Sequence, residues 1–321
     1  PGLLHVQRFH RQGAVRPAPQ TFLIFSPLSN DIGKERMAMI TIGTIKRGLI
    51  TFIRPSDVSL KTDRRIQFVK TIIITIFSLS VFIGVWWGLS LLIDTPFLPP
   101  PDIVFEALLD SFIRPDITTG RTMWDNVVTS SIRVAWGFAL AFVLAVPLGL
   151  VMGFSKTVES FSKPVVEVFR PIAPIAWAPL LLIAMGGKVG PIIVIFIGVF
   201  FPLLSNIIFG VRSIQPILMD AARTLGAKRG DMFIKVIIPS TVPYIMTGIR
   251  IGLGIGWMCV VAAEFLGAVG GGVGQYVQFK TEVNRFDQVF AGLIVFSILG
   301  LSTTELSGWV ERRVMKRMGL K

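Results

Sequence analysis

Long apolar runs, separated by short clusters of charge, set the pattern of the last three quarters of the chain. A helix rises about 1.5 Å per residue, so about 20 apolar residues cover the roughly 30 Å of a bilayer's hydrocarbon. Six stretches predict spanning helices: residues 71–93, 127–153, about 171–185, 191–211, 242–268 and 289–309. Asp94 and Pro96 end the first. The third is short and carries Pro171, Pro174 and Pro179, which remove amide donors from the helical ladder. In lipid the freed carbonyls need neighbouring helices or water, and broken helices often line a pathway. A plain packing kink is the rival reading there, for Pro174 as for Trp177. The fold expected is all-α and polytopic, with about six transmembrane helices over residues 66–321 behind a basic cytoplasmic arm over residues 1–65, part of it disordered.

Composition supports a lipid solvent. The 321 residues are 52% hydrophobic and 16% charged, with a mean hydropathy of +0.69, whereas soluble domains are about a quarter charged. The net charge of +13 raises nucleic acid as a partner, but position decides otherwise. Of the 32 Lys and Arg residues, 25 lie before the first run, after the second, after the fourth and in the tail. Basic residues concentrate in cytoplasmic loops, so both termini are expected there and the number of spans is expected to be even. The charge reads as topology, and no nucleic acid is implied.

The only cysteine, Cys259, lies in an apolar run, and the two histidines, His5 and His10, lie in the arm. No disulfide within the chain is expected, nor a His/Cys metal site in the apolar part. The chain opens on Pro1, with Met37 or Met39 as candidate natural starts, and no small-residue cleavage pattern follows the first run. The acidic loop 94–126 opens on Pro96-Phe97-Leu98-Pro99-Pro100-Pro101, a stiff stretch entering a short helix. It reads as a spacer or as a contact for a delivering protein.

The basic loop over residues 212–240 is the most informative. Pro216 suits a helix's first turn and Gly226 its left-handed stop, so a short helix is expected between them. A second is expected over residues 231–238, ended by Pro239. Such short helices do not stabilise themselves. Ala221 and Ala222 offer a small-residue surface that lets another body approach.

Asp220-Ala221-Ala222, three residues, Gly226, nine residues, then Val236-x-Ile238-Pro239 resembles the EAA signature of ATP-binding-cassette (ABC) importer permeases. Asp stands for the usual Glu, and Val and Ile for Ile and Leu. Three more stretches are similar to the nitrate/sulfonate/taurine (bicarbonate) branch of the binding-protein-dependent transport inner-membrane component family: Arg170-Pro171-Ile172-Ala173-Pro174-Ile175-Ala176-Trp177-Ala178-Pro179-Leu180, Val261-Ala262-Ala263-Glu264-Phe265-Leu266, and the glycines at 270–272 and 274. The resemblance implies a type I importer transmembrane domain in a prokaryotic cell membrane, moving a small oxyanion by alternating access. It implies that Asp220, Ala221, Ala222, Gly226, Val236, Ile238 and Pro239 couple to a dimeric ATP-binding subunit. ATP and Mg would sit on that subunit, with no cofactor in this chain. A second permease copy and an extracytoplasmic solute-binding protein are implied as further partners.

The remaining motifs are weaker. Glycines 270–274 lack the Lys-Ser/Thr ending of a P-loop, and Gly186-Gly187-Lys188 is followed by Val189, so no nucleotide site is visible. Arg133, Arg250 and Glu264 are intramembrane charges, each costing about 2.5–3.5 kcal/mol on insertion scales. Arg133 and Glu264 fall at the same outer depth and are expected to face each other or a shared cleft, as an ion pair or as part of a pathway or gate. Arg250 is expected to snorkel inward. Gly248, Gly252 and Gly256 form a small-xxx-small face, for contact within the subunit or between copies. An intramembrane enzyme would need a Ser/His pair, paired Asp residues or a metal motif in the spans; an ion channel would not need the docking loop.

Overall fold

The computed structural model describes residues 62–319, apart from Thr118. Residues 1–61, most of the basic arm expected over residues 1–65, lie outside the described residues. In chain order the helices are α1 (Thr62–Ile93), α2 (Pro101–Ile113), α3 (Met123–Phe154), α4 (Lys156–Phe169), α5 (Ala178–Arg212), α6 (Pro216–Thr224), α7 (Arg229–Phe265), α8 (Val273–Glu282) and α9 (Phe286–Arg317). A 3₁₀ turn, Pro174–Trp177, leads into α5.

Five rods, α1, α3, α5 with its leading turn, α7 and α9, are long and apolar enough to cross a membrane. The sequence predicts six spans. The difference lies at Gly186, whose φ of 76° and ψ of 163° break α5 into two arms. The arms fold back on each other: a Cβ on Gly190 would lie 2.9 Å from the Leu181 carbonyl, and one on Gly198 would lie 3.5 Å from Pro174. The predicted third run is therefore the short, proline-rich arm of a helical hairpin.

Close contacts fix the direction of its neighbours. Cβ atoms on Gly137, Gly149 and Gly153 of α3 would approach Ile195, Ile207 and Val211 of α5 to 2.6, 2.8 and 2.5 Å. The offset is constant, so α3 and the long arm of α5 run parallel. Two parallel rods need a return crossing between them, which residues 170–177 and the short arm of α5 supply together. That sixth crossing is composite, and no one piece of it is long enough to register as a span.

α7 runs antiparallel to α5. Its Gly248 and Gly252 lie against Leu203 and Val199, at 2.8 and 2.9 Å for an added Cβ, and Gly198 of α5 meets Cys259. The small-residue face is thus used within the subunit. One buried cluster holds Val134, Val194, Val199, Trp257 and Val260; a second, further along the same three helices, holds Ala145, Leu150, Leu203, Ile207 and Ile237. α9 packs on α7 and α8. From Val69 on, α1 exposes nearly every side chain and touches the bundle through Trp86, stacked on Phe290 at 5.6 Å.

The separate helix expected over residues 231–238 is absent; α7 instead runs unbroken from Arg229 to Phe265. Pro239 has no amide to give, so an ordinary helix would lose a bond and clash there. A π-turn at Phe233–Ile237 absorbs this, with the Ile238 amide reaching the Phe233 carbonyl.

Gly210→Leu tests this packing, because even a Cβ there would lie 2.6 Å from Tyr244. The expected cost is about 1–3 kcal/mol, read as a lower melting temperature of the purified protein. Gly254→Ala, which meets nothing within 4 Å, leaves it level or slightly higher.

Candidate functional site

The loop between α5 and α7 stands at the end of the bundle where the second cluster closes. α6 begins on Pro216, whose missing amide costs nothing in a first turn. Its C-terminus is closed by a Schellman pair: the Ala227 amide donates to the Ala222 carbonyl at 3.0 Å, and the Gly226 amide to that of Arg223 at 2.9 Å. That closure needs a left-handed residue, and Gly226 has a φ of 78°. Met219 anchors the helix on the core. Its outer face presents Ile217, Leu218 and Leu225 to solvent, with Asp220, Ala221 and Gly226 exposed and Ala222 half-buried. Asp220 is held by Arg223 at 2.9 Å.

The downstream members of the predicted set lie elsewhere. Val236, Ile238 and Pro239 are half-buried at the π-turn, and Ile238 packs on the second cluster. They lie at the root of α7, whose π-turn packs against α6, and are not on the exposed face of α6. Beside this root, Arg212 at the end of α5 pairs with Glu159 of α4.

At the far end of the bundle the structure brings Arg133 and Glu264 together. Both are buried, with Arg133 Nη1 2.7 Å from Glu264 Oε1. The carboxylate also accepts from Ser130 Oγ at 2.8 Å and from the Gly274 amide at 2.9 Å. Arg133 donates further to the carbonyls of Gly271 and Val269, at 2.7 and 2.8 Å. Ser130 Oγ accepts from the Val273 amide, and Asn126 Oδ1 from the Gly272 amide, both at 3.0 Å. A Cβ on Gly272 would lie 2.5 Å from the Glu264 carboxyl, so the turn closes onto this acid only as glycine.

The cluster therefore pins the glycine turn and the start of α8 onto α3 and α7. Both carboxylate oxygens and both terminal guanidinium nitrogens have protein partners, which is the condition for keeping ions in a low-dielectric interior. Asn126 and Ser130 were not singled out from sequence. Their positions, four and three residues apart from each other and from Arg133, place all three on one helical face, and that spacing was the available signal.

Near the same turn, Asp116 pairs with Lys280, whose ammonium lies 5.4 Å from the Tyr276 ring centroid. Burial, then the carboxylates of Asp116 and Asp287, push the Tyr276 phenol well above its ordinary value. Pro174 and Trp177 sit on the hairpin, away from Glu264: Pro174 faces Gly198, and Trp177 lies 6.0 Å from Phe169. Arg250 reaches Glu311 of α9 at 3.9 Å.

Residues 145–316 match the binding-protein-dependent transport system inner membrane component family, and this chain belongs to that family. It is 36% identical to the taurine transport system permease protein TauC of Escherichia coli strain K12, over 72% of this chain and 84% of that protein. It is 29% identical to the nitrate import permease protein NrtB of Synechococcus elongatus, over 83% of this chain and 98% of that one. Among solved structures, the MetNI methionine ABC transporter, in inward-facing conformations, matches with a TM-score of 0.53 at 18% identity. That match covers 60% of this chain and 95% of the other, and it supports the fold. The chain is a multi-pass membrane protein of the nitrate/sulfonate/taurine permease branch, and its relatives are permeases rather than enzymes.

Glu264→Ala leaves Arg133 buried without its counter-ion, at an expected cost of about 3–5 kcal/mol. Adding Arg133→Met recovers part of the loss, because the uncompensated charge is gone. Thermal unfolding of the purified protein measures both; an unchanged midpoint in Glu264→Ala means that the cluster does not hold the turn.

Proposed function

We propose that this chain forms the translocation pathway of an ATP-driven importer for a small oxyanion, such as nitrate, taurine or another sulfonate, or bicarbonate. The carrying observation is α6: a short helix, closed at its C-terminus, that holds Ile217, Leu218 and Leu225 in solvent beside the exposed Ala221. Such a surface at the end of a bundle needs a partner. In this reading the partner is a separate ATP-binding subunit, which carries ATP and Mg, and the contact centres on Asp220, Ala221, Ala222 and Gly226. Val236, Ile238 and Pro239 act one step back, by stiffening the root of α7 so that movement of α6 is passed on to the bundle.

Orientation follows from charge. The segments around α4 and α6 and the tail are rich in Lys and Arg, which favours a cytoplasmic side for them and for both termini. The Arg133–Glu264 cluster and α8 then face outward, where a solute-binding protein delivers its cargo. Two permease copies enclose the pathway, and ATP-driven closure of the ATPase pair biases the bundle between two arrangements. The oxyanion class is favoured by the relatives that carry taurine and nitrate in their names.

Ala222→Arg and Gly226→Trp test the coupling. The first puts a bulky cation on the small-residue surface, and the second puts a side chain where φ is 78°. Each is expected to reduce recovery of the ATPase with the tagged permease by at least about tenfold, the equivalent of 1.4 kcal/mol. Full recovery and full uptake in both variants removes the assignment of α6.

A further inference from the structure

The short arm of the hairpin and the middle of α5 enclose a cavity of about 300 Å³. Arg170, Pro174, Phe201, Ser205, Asn206 and Ile255 are among its lining residues. Residues 201–206 lie six to eleven residues from Arg212, so the cavity sits roughly 9–16 Å along the helix from the α6 end. It shares no residue with the Glu264 cluster, which lies nine residues beyond Ile255 on α7.

Its chemistry is lopsided. The Arg170 guanidinium makes no hydrogen bond or ion pair with any described residue. Asn206 spends one amide hydrogen on the Pro202 carbonyl, at 2.8 Å, and keeps the other. The exposed Arg170 and the spare Asn206 hydrogen thus give the cavity donors without a protein acceptor, while Phe201, Ile255 and the prolines give it an apolar lining. A bare inorganic anion would turn most of its oxygens toward that apolar wall and lose hydration there without return. An organic anion can turn its carbon chain to the wall.

We propose that this cavity is a binding station for a small organic oxyanion, its sulfonate or carboxylate head on Arg170 and Asn206 and its short carbon chain against Phe201 and Ile255. The assignment rests on the import function proposed above and narrows its substrate class. Arg170 binds the head through charge-assisted hydrogen bonds, which a planar guanidinium can make in pairs.

The test is uptake by the permease reconstituted with its ATPase and binding protein, offered taurine, ethanesulfonate, bicarbonate or nitrate. The expected result is accumulation of an organic anion in preference to nitrate and bicarbonate. Arg170→Gln then raises its KM by about 10- to 100-fold, and Arg170→Lys raises it less. Phe201→Ala raises KM for ethanesulfonate as well. Preference for nitrate or bicarbonate overturns the organic class. An unchanged KM in Arg170→Gln, with the complex assembled, overturns the site. If Arg170→Gln instead loses turnover at constant KM, and native mass spectrometry shows one bound phospholipid fewer, the guanidinium holds a lipid phosphate and the proposal fails. A wild-type complex that assembles but accumulates none of the four anions removes the oxyanion reading itself, and one that never assembles with an ATPase removes the import function.

Discussion

Apolar side chains gain little by leaving lipid for one another, so helices in a bilayer associate through close van der Waals contact and through polar groups that need partners. In this bundle the closeness comes from glycine. α3 and α7 lie on α5 at positions where their glycines, or its own, leave no room for even a Cβ. The contacts recur along the helices, so they fix register as well as distance. They force α3 and α5 to run parallel, and the parallel pair in turn requires the composite return through the hairpin's proline-rich arm. The irregular, proline-bearing stretch is therefore where the chain must cross without a continuous rod.

Polar groups supply the second kind of adhesion. Glu264 is fully buried, and its partners come from α3 and from the first turn of α8, across gaps of 134 and 10 residues in sequence. The carboxylate is a junction: one group on α7 satisfies a guanidinium, a hydroxyl and a main-chain amide at once. Gly272 is indispensable to it, because that backbone approaches the carboxyl too closely for any side chain. The charges that looked expensive as isolated residues become a clasp for the most irregular backbone in this end of the bundle.

Much of this was readable from the chain. Apolar runs located the rods, and the Arg133 and Glu264 depths placed the pair on one level. Pro216 and Gly226 marked both ends of α6 to within a residue. What was hidden has specific causes. Pro239 reads as a helix breaker because propensity knows only the regular ladder, and a π-turn lies outside it. The hairpin at Gly186 depends on contacts with Pro174 and Leu181, which no local pattern encodes. Asn126 and Ser130 look like ordinary polar residues until the turn at residues 270–274 is brought over them. The exposed face of α6 was legible, but the separation of Val236, Ile238 and Pro239 from it was not, because a sequence signature does not distinguish a surface from its support.

The Schellman clip also limits size. α6 has 9 residues, so it is a peg roughly 13 Å long. A stable protein–protein contact usually covers about 800 Å² on each partner, more than one side of so short a helix offers. A single peg would detach readily. Two pegs held at a set spacing would engage by avidity, the second insertion becoming intramolecular once the first is made. In the two-copy complex proposed above, fixing where α6 stops would make firm attachment a property of the pair, with either contact alone free to come and go.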